Sequence, residues 1–166
     1  MINKPLISIA LIAACAAVSA EAAQHNQGGY IEGNLGTLYA SVNLFHTKST
    51  MIGSFGANAN GGYLFTPNFA METGYTNYGL GLNNVDVAAK FILPFTISNN
   101  DFSVFAKVGP AYTFDNSGQG QALLFGGVGG SYALTDKLDL NLQAQGVTIG
   151  FFSLGLISTG LDYHFD

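Results

Sequence analysis

Three charged side chains stand out because the segments that carry them hold few other charges. Glu72 is the one acid, and the one charged residue, in the stretch GGYLFTPNFAMETGY, residues 61–75. A carboxylate without a partner is costly to remove from water, so a buried Glu72 needs an ammonium group beside it. Chain folding about turns near residues 81 and 98 is expected to set residue 72 opposite 90 or 91, and residue 90 opposite 106 or 107. Glu72, Lys90 and Lys107 are therefore predicted to form one charge network.

A histidine close to a serine offers the other candidate chemistry. His46 and Ser49 could serve as base and nucleophile in an enzyme that modifies membrane lipid. Neither an Asp-Ser nor a His-x-Ser-Asn context supports this, so a solvated loop histidine is the favoured interpretation and no catalytic residue is predicted. The histidines (His25, His46 and His164) are scattered and the acids lack metal-ligand spacing, so neither a metal nor a cofactor is expected.

The overall charge bounds the class of partner. Of 166 residues only 9% are charged, against about 25% in ordinary soluble domains. The five basic residues are all lysine, and the net charge is -5. Nucleic acid is excluded as a partner, since phosphate binding requires a basic face.

The N-terminus has the pattern of an export signal. The basic segment MINK precedes the apolar run LISIALIAACAAV. Two candidate cleavage sites with small residues follow, one ending at Ala20 and one at Ala23. Residues 1–23 are predicted to be a cleaved signal peptide and residues 24–166 the mature domain. Two alternatives stay open: lipidation of Cys15, and a retained anchor, for which the run is short. Cleavage would remove the only cysteine of the chain.

The mature chain alternates with period two, which indicates β-strands. In LDLNLQAQ, residues 138–145, leucine and alanine take one face while Asp, Asn and Gln take the other. No stretch approaches the ~20 apolar residues of a membrane-spanning helix. Turn signals divide the chain into eight strands, at roughly 30–45, 51–65, 69–78, 85–95, 101–114, 121–134, 138–145 and 152–165.

The distribution of side chains favours a barrel with its apolar face outward. The polar faces are mostly Gly, Ser, Thr, Asn, Gln and Ala, whereas a water-facing surface carries about 25–35% charged residues. Aromatic residues gather at both strand ends, as the two girdles of a membrane barrel require. The sequence therefore predicts an all-β, eight-stranded antiparallel up-and-down transmembrane β-barrel. Pro110 interrupts one run, which requires a bulge or an early end to strand pairing.

Alternation assigns the side chains around Glu72 to two faces. Met71, Thr73 and Tyr75 are expected to face lipid, with Glu72 facing the lumen. Lys90 and Lys107 also fall on lumen faces. The remaining inward acids are interpreted as solvated ends of a small polar lumen; they are Glu32, Asp86, Asp139 and Asp162.

Several stretches resemble one known family. GGYLFTPNFAMETGY is similar to the second hairpin turn of the outer membrane protein A (OmpA)-type barrels, with Gly-Gly-Tyr, a Pro turn and x-Glu-x-Gly-Tyr. FAKVGPAYTF (105–114) resembles their fifth strand, and GGSYALTDKLDLNLQAQ (129–145) their sixth strand, tight turn and seventh strand. LDYHF (161–165) resembles the closing Tyr-x-Phe that the barrel-assembly machinery recognises in such proteins. The departures are Asp166 after Phe165, Ser131 in place of an acid and Gln143 in place of a basic residue.

The resemblance covers the barrel domain only; a peptidoglycan-binding domain is not expected, and the cell-wall tethering role of two-domain relatives is not implied. In that family a mid-barrel glutamate exchanges between basic partners and gates small ions. This chain has no Arg, so only a lysine form of the switch could operate, and structural bracing by Glu72 is the favoured role.

We expect a non-enzymatic integral protein of a Gram-negative outer membrane with a structural or surface role. Its expected partners are outer membrane lipids and lipopolysaccharide, the barrel-assembly machinery, and an unknown surface or host ligand. The predicted outer loops HTKST, GLGLNN, DNSGQG and GVTIG are short. The alternative is a small low-conductance porin; less favoured are a lipid-modifying enzyme and a soluble exported ligand-binding barrel.

Overall fold

The computed structural model describes residues 27–44, 47–149 and 152–165. The predicted signal peptide with Cys15, together with His25 and His46, lies outside these residues. Within the described ranges, no helix is long and apolar enough to cross a membrane.

The described residues form eight strands that pair in chain order. Neighbours are antiparallel, and the first strand pairs with the last, so the sheet closes on itself. The prediction of an all-β, up-and-down eight-stranded barrel is confirmed. The strands are β1 (Gly28–Leu44), β2 (Thr47–Thr66), β3 (Phe69–Gly79), β4 (Leu82–Ile97), β5 (Asn100–Asp115), β6 (Gly120–Thr135), β7 (Leu138–Ile149) and β8 (Phe152–Phe165).

The strands are strongly staggered. Following paired residues once around the barrel from Gly29 leads back to β1 at Tyr39, ten residues further along. Such a stagger accompanies a strand tilt of about 35–45°, and eight strands leave an interior just wide enough for side chains to fill. The path runs through Tyr63, Met71, Ala89, Val108, Gly126, Gly146 and Gly155.

The two faces of the barrel separate as alternation predicts. On β3, Met71 and Tyr75 are exposed on the outer wall, whereas Glu72 and Thr76 are buried inside. Leu142, from the apolar row of β7, is 63% exposed on the outer wall. A soluble barrel would show the opposite arrangement, so this one is built to meet lipid.

Aromatic side chains mark both edges of the outer wall. We call the end that holds Gly28 and Phe165 the terminal end and the opposite one the distal end. Phe102 and Tyr112 lie on the outer face of β5 near these two ends. Their ten-residue separation spans about 23 Å of barrel height at a rise of ~3.3 Å and a tilt near 45°. This height matches an apolar band of about 25 Å.

Threonine hydroxyls on the outer wall are paired with the backbone. Thr73 Oγ1 donates to the carbonyl oxygen of Asp86 at 2.9 Å, and Thr159 Oγ1 donates to that of Asn141 at 2.8 Å. Hydrocarbon offers no hydrogen-bond partner, so these bonds make the hydroxyls compatible with a lipid-facing position.

The β3–β4 connection is tighter than the sequence predicted. It consists of Leu80 and Gly81, and the register shifts by one residue between Asn77 and Gly79. Asn77 Oδ1 accepts the Gly79 amide at 2.8 Å, and the φ of Gly79 is 75°. In consequence, residue 72 pairs with residue 88 rather than with 90 or 91.

Pro110 is accommodated without the bulge or early strand end that the sequence predicted. Residues Ala111 and Val108 pair with β4 in one unbroken register, and only the two residues between them, Gly109 and Pro110, have no pair there. A Cβ on Gly109 would lie 1.9 Å from the carbonyl oxygen of Val87, so glycine permits the close approach of the two backbones. Towards β6, Pro110 keeps its place opposite Leu124.

A cationic substitution tests the position of the lipid band. Leu142→Arg, near mid-height of the outer wall, is expected to destabilise the barrel by about 2–4 kcal/mol because an ion enters hydrocarbon. Leu134→Arg is the matched control, since Leu134 lies next to the terminal-end turn and its substitution is expected to cost about 0–1 kcal/mol. Reversible urea unfolding in lipid vesicles measures both. Equal costs for the two variants would contradict the assigned band.

Candidate functional site

Four charged side chains from four strands meet in the middle of the lumen. They are Glu32 on β1, Glu72 on β3, Lys90 on β4 and Lys107 on β5, and we call them the charged ring. Each is at most 4% exposed. This enclosure governs the arrangement of the site, because charges removed from water must compensate one another.

Each carboxylate of the charged ring lies near both ammonium groups. Lys107 Nζ is 2.6 Å from Glu72 Oε1 and 3.6 Å from Glu32 Oε1. Lys90 Nζ is 3.4 Å from Glu32 Oε2 and 3.5 Å from Glu72 Oε2. With both carboxylates ionised, two negative and two positive charges alternate, so the ring has no net charge.

Strand pairing alone would disfavour this arrangement. Lys90 and Lys107 are direct cross-strand neighbours, and like charges in that position repel. Glu32 and Glu72 reach the two ammonium groups from strands that pair with neither β5 nor each other. The closed barrel is what brings the acids to the lysines.

Neutral side chains hold the two carboxylates in place. Tyr30 donates its hydroxyl to Glu72 Oε2 at 2.8 Å. Glu32 Oε1 accepts three amide hydrogen bonds. Hydrogen bonds to a charged group are roughly twice as strong as neutral ones, so these contacts fix the ring geometry. The amide donors are Asn34 at 2.6 Å, Asn60 at 2.9 Å and Gln143 at 2.5 Å.

An inward-facing phenylalanine lies beside both lysines. Lys90 Nζ is 4.4 Å and Lys107 Nζ 5.4 Å from the centre of the Phe105 ring. Such contacts stabilise a cation by about 0.5–2 kcal/mol. A Cβ on Gly129 would lie 2.5 Å from Phe105 Cζ, so glycine on β6 makes room for the ring. In the sequence, Phe105 is the large apolar residue that interrupts the polar, inward face of its strand. Its role beside the lysines was not assigned from the sequence.

The structure brings Glu72 within ion-pair distance of Lys90 and Lys107. It adds Glu32, and the interpretation of Glu32 as a solvated lumen end is wrong. No local sequence signal marks its level: a regular hairpin would set Tyr30 opposite Gly61, but the register shifts by one residue between Thr37 and Leu38. Tyr30 therefore lies opposite Gly62 and Gly62 opposite Glu72, so Glu32 lies only two residues from the Glu72 level.

The other three inward acids are also buried. Their interpretation as solvated ends of the lumen is therefore wrong. Asp86 Oδ2 accepts a hydrogen bond from Asn84 Nδ2 at 3.0 Å. Asp162 Oδ1 accepts one from Asn141 Nδ2. Asp139 Oδ2 lies 3.6 Å from Nε2 of His164. Neutral amides and an imidazole therefore lie beside these acids, while both lumen lysines lie in the charged ring.

A small vestibule lies between the charged ring and the terminal end. Its cavity has a volume of about 30 Å³, room for one or two water molecules. His164 stacks on Tyr30 at a centroid distance of 5.5 Å. Six of the polar or aromatic residues around it are Tyr30, Lys90, Ser103, Phe105, Asp162 and His164.

Beyond the charged ring, the distal half of the lumen holds a buried apolar cluster, which we call the apolar plug. Every member is at most 5% exposed, and Tyr78 and Leu156 are fully buried. The sequence predicted a small, mostly polar lumen, and these inward apolar side chains were missed. The members are Leu38, Tyr78, Ala88, Ala111, Phe125, Val147, Leu154 and Leu156.

Metal binding and catalysis were the other chemistries considered from the sequence. In the part of the chain that the structure describes, no group of three His, Cys, Asp or Glu side chains is arranged to hold a metal ion. His46 lies outside the described residues, and so does the side chain of Ser49, so their hypothetical catalytic role stays a prediction.

A double-mutant cycle tests the mutual compensation of the charged ring. Lys107→Met alone is expected to cost about 3–5 kcal/mol because two carboxylates lose a buried partner. Lys107→Met with Glu72→Gln should cost clearly less than the sum of the two single variants. The free energies of unfolding of the parent, the two single variants and the double variant, measured in lipid vesicles, give the interaction energy between Lys107 and Glu72. Additive costs would show that the two groups do not depend on each other.

Comparison with known proteins agrees with the geometry. Residues 7–165 match the family model described as outer membrane protein beta-barrel domain. The chain belongs to this family and is thus an outer membrane β-barrel protein. No curated protein matches the chain.

Solved structures with the same fold come from several bacteria. Neisserial surface protein A (NspA) is 22% identical with a TM-score of 0.61, over 85% of this chain and 100% of that chain. The N-terminal β-barrel domain of Pseudomonas aeruginosa OprF is 14% identical with a TM-score of 0.58, over 85% and 100%. Ail of Yersinia pestis, in complex with the heparin analogue sucrose octasulfate, is 16% identical with a TM-score of 0.51, over 83% and 99%. At these identities the likeness shows the fold alone.

Proposed function

We propose that this protein is a closed, non-enzymatic barrel that serves the outer membrane as a structural and surface element. The observation that carries the proposal is the filled lumen. The charged ring and the apolar plug follow one another along the barrel axis, and the vestibule holds about 30 Å³. Nothing larger than a few water molecules fits this space.

The distal connections support a surface role with a small contact area. Leu80 and Gly81 form one connection and residues 116–119 another. The Asp115 carboxylate accepts hydrogen bonds from Ser117 Oγ at 2.6 Å and from the Gln119 amide at 3.1 Å, which stiffens the second connection. At these two described connections, a partner would meet short, ordered turns rather than long loops.

Charge favours a neutral or cationic surface partner over a polyanion. The Ail structure contains a heparin analogue. Here two of the five lysines, Lys90 and Lys107, are buried in the charged ring, and the net charge is -5. Few cations remain to attract a sulfated chain, so we do not extend that ligand class to this protein.

Outer membrane lipid, lipopolysaccharide and the assembly machinery are the remaining proposed partners. The outward apolar wall supports contact with lipid acyl chains, and LDYHF at residues 161–165 supports recognition during assembly. The exposed apolar wall also argues against the soluble ligand-binding barrel, because water would meet Leu142 and its neighbours.

Export and membrane insertion have a direct test. The protein is expected in the outer membrane fraction, extractable only with detergent, and to migrate faster on gels before boiling than after, because a folded barrel resists detergent unfolding. The mass of the mature protein should place its first residue between Glu21 and Gln24. A water-soluble product, or an uncleaved N-terminus, would contradict the corresponding part of the proposal.

The closed lumen is tested by electrical recording. The purified, refolded protein should give no conductance steps in planar bilayers because the lumen is filled. Reproducible steps from the parent protein would favour the small low-conductance porin instead.

A further inference from the structure

We infer that the apolar plug, and not the charged ring, is the permeability barrier of this barrel, and that it closes a latent cation-selective path. The inference rests on the proposed closed lumen and assigns the closure to particular residues. It also predicts which ions would pass if that closure were removed.

The apolar plug joins side chains from seven of the eight strands. Tyr78 on β3, Phe125 on β6 and Leu156 on β8 are at most 1% exposed. A Cβ on Gly56 of β2 would lie 2.6 Å from Leu156 Cδ1. Glycine at this position therefore gives the leucine side chain room to extend past β1 towards β2.

An apolar constriction is a stronger barrier to ions than a polar one. Water does not persist in a narrow hydrocarbon passage, and hydrophobic constrictions gate channels by this dewetting. An ion crossing it would lose hydration and meet few ligands, which is more costly than exchanging one polar partner for another. The buried polar groups beside the plug already bond to each other, as where Gln145 Nε2 donates to Thr76 Oγ1 at 3.2 Å. The charged ring, by contrast, offers carboxylates, amides and a neighbouring cavity of about 30 Å³.

The polar part of the lumen carries more acid than base. Among the described side chains, its buried acids are Glu32, Glu72, Asp86, Asp139 and Asp162, and its buried lysines are Lys90 and Lys107. His164 lies beside Asp139. Acidic linings attract cations and repel anions. Asp86 is four residues nearer the distal end than Lys90, so acid lies on both sides of the charged ring.

The test compares inward and outward substitutions on the same two strands. The plug variant combines Phe125→Ser with Leu156→Ser. Its matched control combines Val128→Ser with Ile157→Ser, whose side chains are exposed on the outer wall of the same strands. A ring variant combines Glu72→Gln with Lys107→Met. Gel mobility before boiling verifies folding of each, and the single plug variants are recorded as well because they remove less packing.

In a potassium chloride gradient, folded plug variants should give conductance steps, with a reversal potential shifted towards the potassium equilibrium potential. The parent, the outer-wall control and the ring variant should stay silent. Adding Asp86→Asn to the plug variant should reduce the shift, since it removes an acid near the opened passage.

Two outcomes overturn the inference while leaving the closed barrel intact. One is a silent, folded plug variant beside a silent parent. The other is a conducting ring variant, which would make the charged ring the barrier. Conductance from the parent itself would refute the proposed closed barrel and this inference together. Anion preference in the plug variant would refute the cation path alone.

Discussion

The burial of charge inside a wall that faces lipid is the constraint on which this structure depends. Neither hydrocarbon nor bulk water is available to solvate Glu32 or Glu72, so their compensation must come from within the barrel. The two lysines supply it, with each ammonium group between 2.6 and 3.6 Å from both carboxylates. Removal of one member leaves three charges that cannot balance.

The wall and the lumen depend on each other through the same alternation. Each strand turns one side chain to lipid and the next to the lumen, so a register error would place Leu142 inside and Gln143 in hydrocarbon. Glycines adjust this rule locally where space is short. Gly129 accepts the ring of Phe105 and Gly56 accepts Leu156. Large inward side chains are thus matched by glycine on another strand.

The lumen is divided into zones of different polarity, which bears on function. A small vestibule, a charged ring without net charge and an apolar plug follow one another from the terminal to the distal end. We propose that the polar zones brace the barrel and that the apolar zone excludes water. This division supports the proposed role as a sealed element of the membrane.

Much of the fold could be predicted from the sequence because it depends on local patterns. Period-two alternation gave eight strands, and the turn signals placed most of their ends within a few residues. The scarcity of charge on polar faces indicated that lipid lies outside. The inward position of Glu72, Lys90 and Lys107 followed from the same alternation, because face is a property of each strand by itself.

What the sequence could not determine is everything that depends on how distant strands meet. The one-residue shift at Asn77 moved Glu72 opposite Ala88, and Pro110 needed only a local gap in pairing. Glu32 joined the charged ring, and eight inward apolar residues became a plug, because the closed, staggered sheet brings separate strands to one level. Alternation decides which way a side chain points; only the closure of the barrel decides which side chains it meets.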